Sequence, residues 1–160
     1  MTTIYLPPRP HGGKPRTPFP VGACDCHADI FGDPTIYPML AAYPFHVVLD
    51  HMAQLSPNPA KAEQQLDKLE QFLDGGKTWI KLTTYRCSTV GCPFEDTQWL
   101  IRRLATSFLE HCIRGSDWPN SMLAKMMPYD GELLDLFASC VKLEVRRRVL
   151  VINSSILYDF

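Results

Sequence analysis

Residues 45–85 read FHVVLDHMAQLSPNPAKAEQQLDKLEQFLDGGKTWIKLTTY, and the order of elements in this stretch decides the fold class. "FHVVLDHM" (Phe45–Met52) and "TWIKLTTY" (Thr78–Tyr85) are short runs rich in β-branched and aromatic residues, the composition of a strand. Between them Ala62, Leu66, Leu69 and Leu73 recur at helical spacing. Asn58 is placed to cap that helix, Pro59 suits its first turn, and Gly75-Gly76 can end it. A helix that carries the chain from one strand to the next predicts a parallel pair in an α/β sheet.

The pattern extends in both directions. "VGACDCHADIF" (Val21–Phe31) reads as an earlier strand and "HCIRGSD" (His111–Asp117) as a brief later one. Leu100, Ile101, Leu104 and Phe108 mark a helix between the third and fourth strands. Asp130 is positioned to cap "GELLDLFASC", and "KLEVRRRVLVI" follows as a last helical segment. Residues 1–20, MTTIYLPPRPHGGKPRTPFP, read as an extended Pro-rich arm, which leaves 21–160 as the folded domain. One connection departs from the pattern. Only the thirteen residues Gly32–Pro44 join strand one to strand two, and Pro34, Pro38 and Pro44 interrupt them. A βα crossover needs about 10–12 residues with a real helix among them, and three prolines oppose one here.

Composition narrows the function classes. The 160 residues are 46% hydrophobic and 21% charged with a formal net charge of -1, which suits an ordinary globular domain. No basic surplus favours nucleic acid, and no apolar run approaches the ~20 residues of a membrane span. The N-terminal arm lacks the apolar core of a secretory signal. The six cysteines, Cys24, Cys26, Cys87, Cys92, Cys112 and Cys140, are therefore expected as reduced thiols in a cytoplasmic protein. Neither Cys24-x-Cys26 nor Cys87-x₄-Cys92 has the paired spacing of a structural zinc site.

Alternation places Asp25, His27 and Asp29 on one face of strand one, where three polar groups need partners. His51 ends strand two on the face of Val47 and Leu49, and Asp117 ends strand four on the face of Ile113 and Gly115. Ligands of parallel sheets gather beyond the carboxyl ends of the strands, where His27, Asp29, His51 and Asp117 all lie. Each has a plainer reading by itself. Asp117 before Trp118-Pro119 suits a turn, His51 suits a satisfied partly buried histidine, Asp25 suits a structural acceptor, and Arg86 suits a solvated arginine. The convergence of four polar residues at three strand ends favours a site.

The pieces "PVGACDCHADIFGDPTIYP", "VVLDHM", "WIKLTTYRCS", "RGSDWPN", "MPYDGELLDLF" and "VRRRVLVINSSILYDF" resemble, in order, the amidohydrolase-related family and its 2-pyrone-4,6-dicarboxylate lactonase-like members. The family fold is a (β/α)₈ TIM barrel. The resemblance implies that the chain holds the counterparts of barrel strands 1, 6, 7 and 8, with strands two to five missing between about Leu40 and Phe45. A whole barrel takes about 250 residues and at least about 200. The four strands would lie side by side as 6-7-8-1, and thirteen residues, reaching up to roughly 43 Å, suffice for the link. Such a partial barrel exposes two sheet edges, through which self-association is expected.

The resemblance also implies a hydrolase: a metal-independent lactonase of small carboxylated lactones, with no cofactor. Asp117 matches the aspartate that activates water. His51 and the strand-one residues His27 and Asp29 match positions that polarise the carbonyl and position the water. Arg86, with Tyr85 beside it in "YRCS", matches the group that holds a substrate carboxylate. The family motif on strand one is His-x-His, whereas this chain has His27-Ala28-Asp29, and an ionised aspartate cannot donate to an oxyanion. Two other readings stand beside this one. Decarboxylases of the same superfamily use zinc or manganese, for which His27, Asp29, His51 and Asp117 would supply a mixed nitrogen and oxygen set. A shortened gene product could also be a non-catalytic remnant or an interaction module.

Overall fold

The computed structural model describes residues 16–18, 20–23, 46–118 and 128–160. Of the first strand expected from the sequence, Val21–Ala23 are described and form a turn, with the Ala23 amide donating to the Pro20 carbonyl at 3.1 Å; the rest of it, the link Gly32–Pro44, and His27 and Asp29 lie outside the described residues. The three later strands form one parallel sheet in the order β1 (Val47–Leu49), β2 (Thr78–Lys81), β3 (Cys112–Ile113). Leu49 pairs with Ile80, and Ile80 with Cys112. β2 and β3 stay in contact beyond the ladder, since Leu82 donates to the Ile113 carbonyl at 2.8 Å and Thr83 Oγ1 to that of Gly115 at 2.9 Å.

Helix α1 (Pro59–Leu73) connects β1 to β2 as the periodicity predicts. Asn58 Oδ1 accepts from the Ala60 amide at 3.0 Å, Pro59 occupies the first turn, and Gly76 leaves the helix at φ 72°, a conformation that costs glycine little. Ala62, Leu66, Leu69 and Leu73 are all buried. Helix α2 (Gln98–Ser107) places Leu100, Ile101 and Leu104 in the same core, with Phe108 at its C-cap. Helix α3 (Asp130–Cys140) begins one residue earlier than Asp130 as a cap would require. Tyr129 is the cap residue instead, and Glu132 reaches back to accept its amide at 3.0 Å, so the carboxylate three residues on satisfies the helix entry. The final segment is α4 (Leu143–Arg147), a π-helical stretch Arg148–Ile152 and α5 (Asn153–Tyr158), where the sequence predicts one helix.

The two faces of the sheet are covered differently. Ile80, Leu82, Cys112 and Leu49 join α1, α2, α3 and the π-helical stretch in one core. On the opposite face Trp79 and Ile113 pack with Val48 and with Leu157 of α5. Asn153, fully buried, donates from Nδ2 to the carbonyls of Leu109 and Cys112 at 2.6 Å each, which ties the start of α5 to the entry of β3. Trp79 also donates to His46 Nδ1 at 3.2 Å.

The strands are shorter than the apolar runs. β1 stops at Leu49, and His51, Met52, Ala53 and Gln54 follow with φ of 51°, 50°, 53° and 56°. These four form a left-handed turn closed by Ala53 N–H to Asp50 carbonyl (2.9 Å) and Leu55 N–H to Met52 carbonyl (3.1 Å). Left-handed backbone costs about 1–2 kcal/mol per residue. The turn drops Met52 and Leu55 into the core, and each such side chain recovers about 1.5–3 kcal/mol. Burial therefore offsets much of the backbone cost. No helix among the described residues is long and apolar enough to cross a membrane.

Candidate active site at the strand ends

Asp117 lies just beyond β3, nearly inaccessible at 1% exposure and with φ 63°. The turn there is closed by Ser116, whose Oγ accepts the Trp118 amide at 3.1 Å. The Asp117 carboxylate is directed into the strand-end cluster. Its Oδ2 receives Arg86 Nε at 2.5 Å and the Tyr85 hydroxyl in a short hydrogen bond, and His51 Nδ1 stands 3.8 Å away. Arg86 Nε also lies 3.2 Å from the Tyr85 oxygen, with its guanidinium carbon 5.6 Å from the ring centre. Three side chains from the ends of β1 and β2 thus converge on one carboxylate oxygen beyond β3.

Tyr85 and Arg86 sit on the 3₁₀ turn Tyr85–Cys87 after β2. Asp96 fixes the following loop by accepting from Ser88 Oγ, the Thr89 amide and Thr89 Oγ1 at 2.7, 2.7 and 3.0 Å. Burial opposes the charge on Asp96, but these donors outweigh it and hold its carboxyl below the usual range. Burial, then the bond to Asp117, raises the Tyr85 phenol well above its ordinary value. Burial pulls Arg86 down, yet its bond to Asp117 and the adjoining Asp117 carboxylate leave it raised. Both remain hydrogen-bond donors at neutral pH.

His51 reaches the cluster by a route that strand alternation misses. Its expected companions Val47 and Leu49 imply the helix-covered face, since Leu49 packs there, whereas Ile113 marks the opposite face. The left-handed turn breaks the alternation and brings the His51 ring toward Asp117. Cys87 secures that turn by donating its thiol to the His51 carbonyl at 3.0 Å. Burial, with the Asp96 charge adding, pushes that thiol up to about 11, so it keeps the proton it donates.

The sequence reading omitted Lys81 and Asp50. Lys81 is 4% exposed, and its Nζ lies 2.5 Å from Asp50 Oδ1. Its signal is a lysine in the middle of an apolar strand, a position that demands an acid nearby. Of the expected thiols, Cys87, Cys112 and Cys140 are buried, and burial raises each of them.

Of the four residues offered for zinc or manganese, His51 and Asp117 are described, whereas His27 and Asp29 lie outside the described residues. The described residues contain no group of three His, Cys, Asp or Glu able to hold a metal ion. Asp117 Oδ2 is already neutralised by Arg86, whose fixed positive charge at 2.5 Å opposes a divalent cation on the same oxygen.

A parallel sheet packed by helices, with a buried cluster of acidic, basic and phenolic side chains beyond its strand ends, defines an α/β protein with a candidate site where ligands of such sheets gather. The amidohydrolase family model matches residues 10–160, and the chain belongs to that family. It is 29% identical over 116 residues to a 4-sulfomuconolactone hydrolase of Rhizobium radiobacter, covering 70% of this chain and 39% of the relative. It is 25% identical over 136 residues to a 2-pyrone-4,6-dicarboxylate hydrolase of Comamonas testosteroni, covering 78% and 45%. The chain therefore spans less than half the length of these two relatives. Among solved structures, a probable 2-pyrone-4,6-dicarboxylic acid hydrolase of Acinetobacter baumannii with citric acid bound matches with a TM-score of 0.63 and 25% identity, over 77% of this chain and 47% of that one. A protein of Agrobacterium tumefaciens, at 22% identity, shares the fold with a TM-score of 0.62 over 75% and 44%.

Proposed function

We propose that the chain carries the catalytic half of a lactone hydrolase acting on small carboxylated lactones, with Asp117 as the general base. The observation that carries this reading is the buried Asp117 carboxylate with Arg86, Tyr85 and His51 gathered on one side of it. The lactone-hydrolase relatives support the substrate class. In barrel terms β1, β2 and β3 correspond to strands six, seven and eight, and residues 21–31 to strand one.

The chemistry is addition and elimination at an ester carbonyl. Asp117 takes a proton from water as the water oxygen bonds to the carbonyl carbon. The oxyanion that forms requires donors, a role for the His51 ring and, from strand one, His27. Collapse breaks the ring carbon–oxygen bond, and the leaving oxygen recovers the proton from Asp117. Asp29 acts in positioning water, because a carboxylate accepts but does not donate. Arg86, with Tyr85 beside it, holds a substrate carboxylate. A positioned base contributes typically about 10²–10⁴-fold.

The chain's short span relative to its relatives favours one second reading, a non-catalytic module. Asp117→Asn separates the two. Spectrophotometric assay with 2-pyrone-4,6-dicarboxylate should show hydrolysis by the parent and a fall of about 10²–10⁴-fold in the variant. Equal background rates in both would assign the chain to the module.

A further inference from the structure

The geometry points to a lock: Arg86 holds the base Asp117 until a substrate carboxylate competes for the same guanidinium. The inference rests on the reading of Asp117 as the base and adds a condition to it. Asp117 Oδ2 receives Nε of Arg86 at 2.5 Å together with the Tyr85 hydroxyl. A carboxylate gripped by two donors, one of them charged, is a poor proton acceptor, because both donors stabilise the form that has already lost its proton. Catalysis by Asp117 therefore requires that this grip weaken.

Arg86 can supply the release. Its Nε is engaged by Asp117 and Tyr85, while among the described residues its two terminal amines have no hydrogen-bond partner. Its side chain is 18% exposed, against 1% for that of Asp117. A guanidinium presents a fork suited to a carboxylate, so an incoming anion meets the donors of Arg86 before it meets Asp117. Two carboxylates then share one positive charge, and each weakens the hold of the other. By linkage the effect is reciprocal: Asp117 weakens anion binding by the same factor that the anion weakens the Arg86–Asp117 contact.

The lock makes the substrate carboxylate part of the trigger as well as the anchor. A carboxylated lactone frees its own base on arrival. An uncharged lactone entering the same space leaves Asp117 held and is hydrolysed slowly.

The test is a double-mutant cycle read by calorimetric binding of citrate, which needs no turnover. Citrate serves as the probe because it is a non-hydrolysable tricarboxylate. Asp117→Asn removes the internal competitor and should tighten citrate binding about tenfold. In an Arg86→Met background the same Asp117→Asn change should have little effect. Equal tightening in both backgrounds would mean simple charge repulsion and would overturn the lock, as would no tightening in either. Tyr85→Phe gives an independent check with the opposite sign. Without the hydroxyl, Asp117 leans more heavily on Arg86, and citrate should bind more weakly; unchanged or tighter binding counts against the lock. Circular dichroism establishes that each variant keeps its fold. If the cycle behaves as expected and no lactone is hydrolysed, the lock stands and the proposed activity fails. If lactones are hydrolysed and the cycle shows no coupling, the reverse holds.

Discussion

Asp117, Tyr85 and Arg86 form one hydrogen-bonded cluster in which Tyr85 and Arg86 both donate to Asp117 Oδ2 and Arg86 also donates to the Tyr85 oxygen. Tyr85 offers the clearest pH signature. Burial and the bond to Asp117 raise its phenol above the ordinary value of about 10. Above pH 10 the unfolded chain releases this proton while the folded chain retains it. The stabilising contribution is thus complete below pH 10 and is lost as pH rises toward the folded value. Urea unfolding of the parent and of Tyr85→Phe across pH 8–11 should show a difference that is constant below pH 10 and shrinks above it. A difference independent of pH throughout would show that Tyr85 ionises in the folded state as it does in the unfolded chain.

At the scale of the element, the left-handed turn after β1 decides where His51 points, and its cost can be measured. Gln54 is the last of the four left-handed residues, at φ 56°, and is exposed. Glycine adopts this backbone without the side-chain clash, worth about 1–2 kcal/mol, and gives back about 0.5–1 kcal/mol through greater freedom in the unfolded chain. Gln54→Gly should therefore stabilise by about 0.5–1 kcal/mol, read as a higher urea midpoint at unchanged slope. A lower midpoint would mean that the turn rests on a contact of the Gln54 side chain. The turn also marks the limit of what the sequence discloses. Helix α1 was legible because its cap, proline and apolar spacing are local signals, and the parallel order of β1 and β2 followed from it. The turn has no such signal: His51-Met52-Ala53-Gln54 lacks glycine and asparagine, and it forms because Met52 and Leu55 are drawn into a core built by distant residues. Tyr129 as the cap of α3 has the same origin, since Glu132 reaches it only once the helix exists. Asp117 and His51 were readable as strand-end polar residues. The hold of Arg86 and Tyr85 on Asp117 depends on how two strand ends meet, which spacing along one strand does not encode.

At the scale of the whole molecule, the three-stranded sheet of the described residues must be stabilised from both faces to fold as a unit. The larger core joins β1, β2 and β3 to helices from residue 59 to residue 150, while the opposite face relies on a smaller cluster of Trp79 and Ile113 with Leu157. The tryptophans allow the two sides to be followed separately. Trp79 is 4% exposed on the smaller cluster, and Trp99 packs against the larger core with its indole donating to the Pro57 carbonyl at 2.9 Å. Trp118, 60% exposed, contributes background and is removed as Trp118→Phe. In that background, Trp79→Phe and Trp99→Phe each leave one reporter, and Phe137→Ala, at a fully buried core position, should destabilise by about 3–5 kcal/mol. If β2, which carries Trp79 on one face and Ile80 on the other, couples the two sides, this loss should shift the midpoint of both reporters equally, even though Phe137 belongs only to the larger core. If the Trp99 signal shifts while the Trp79 signal does not, the smaller cluster melts independently. The strand-end site, built on β2 and β3 together, would then lose its geometry before the core does.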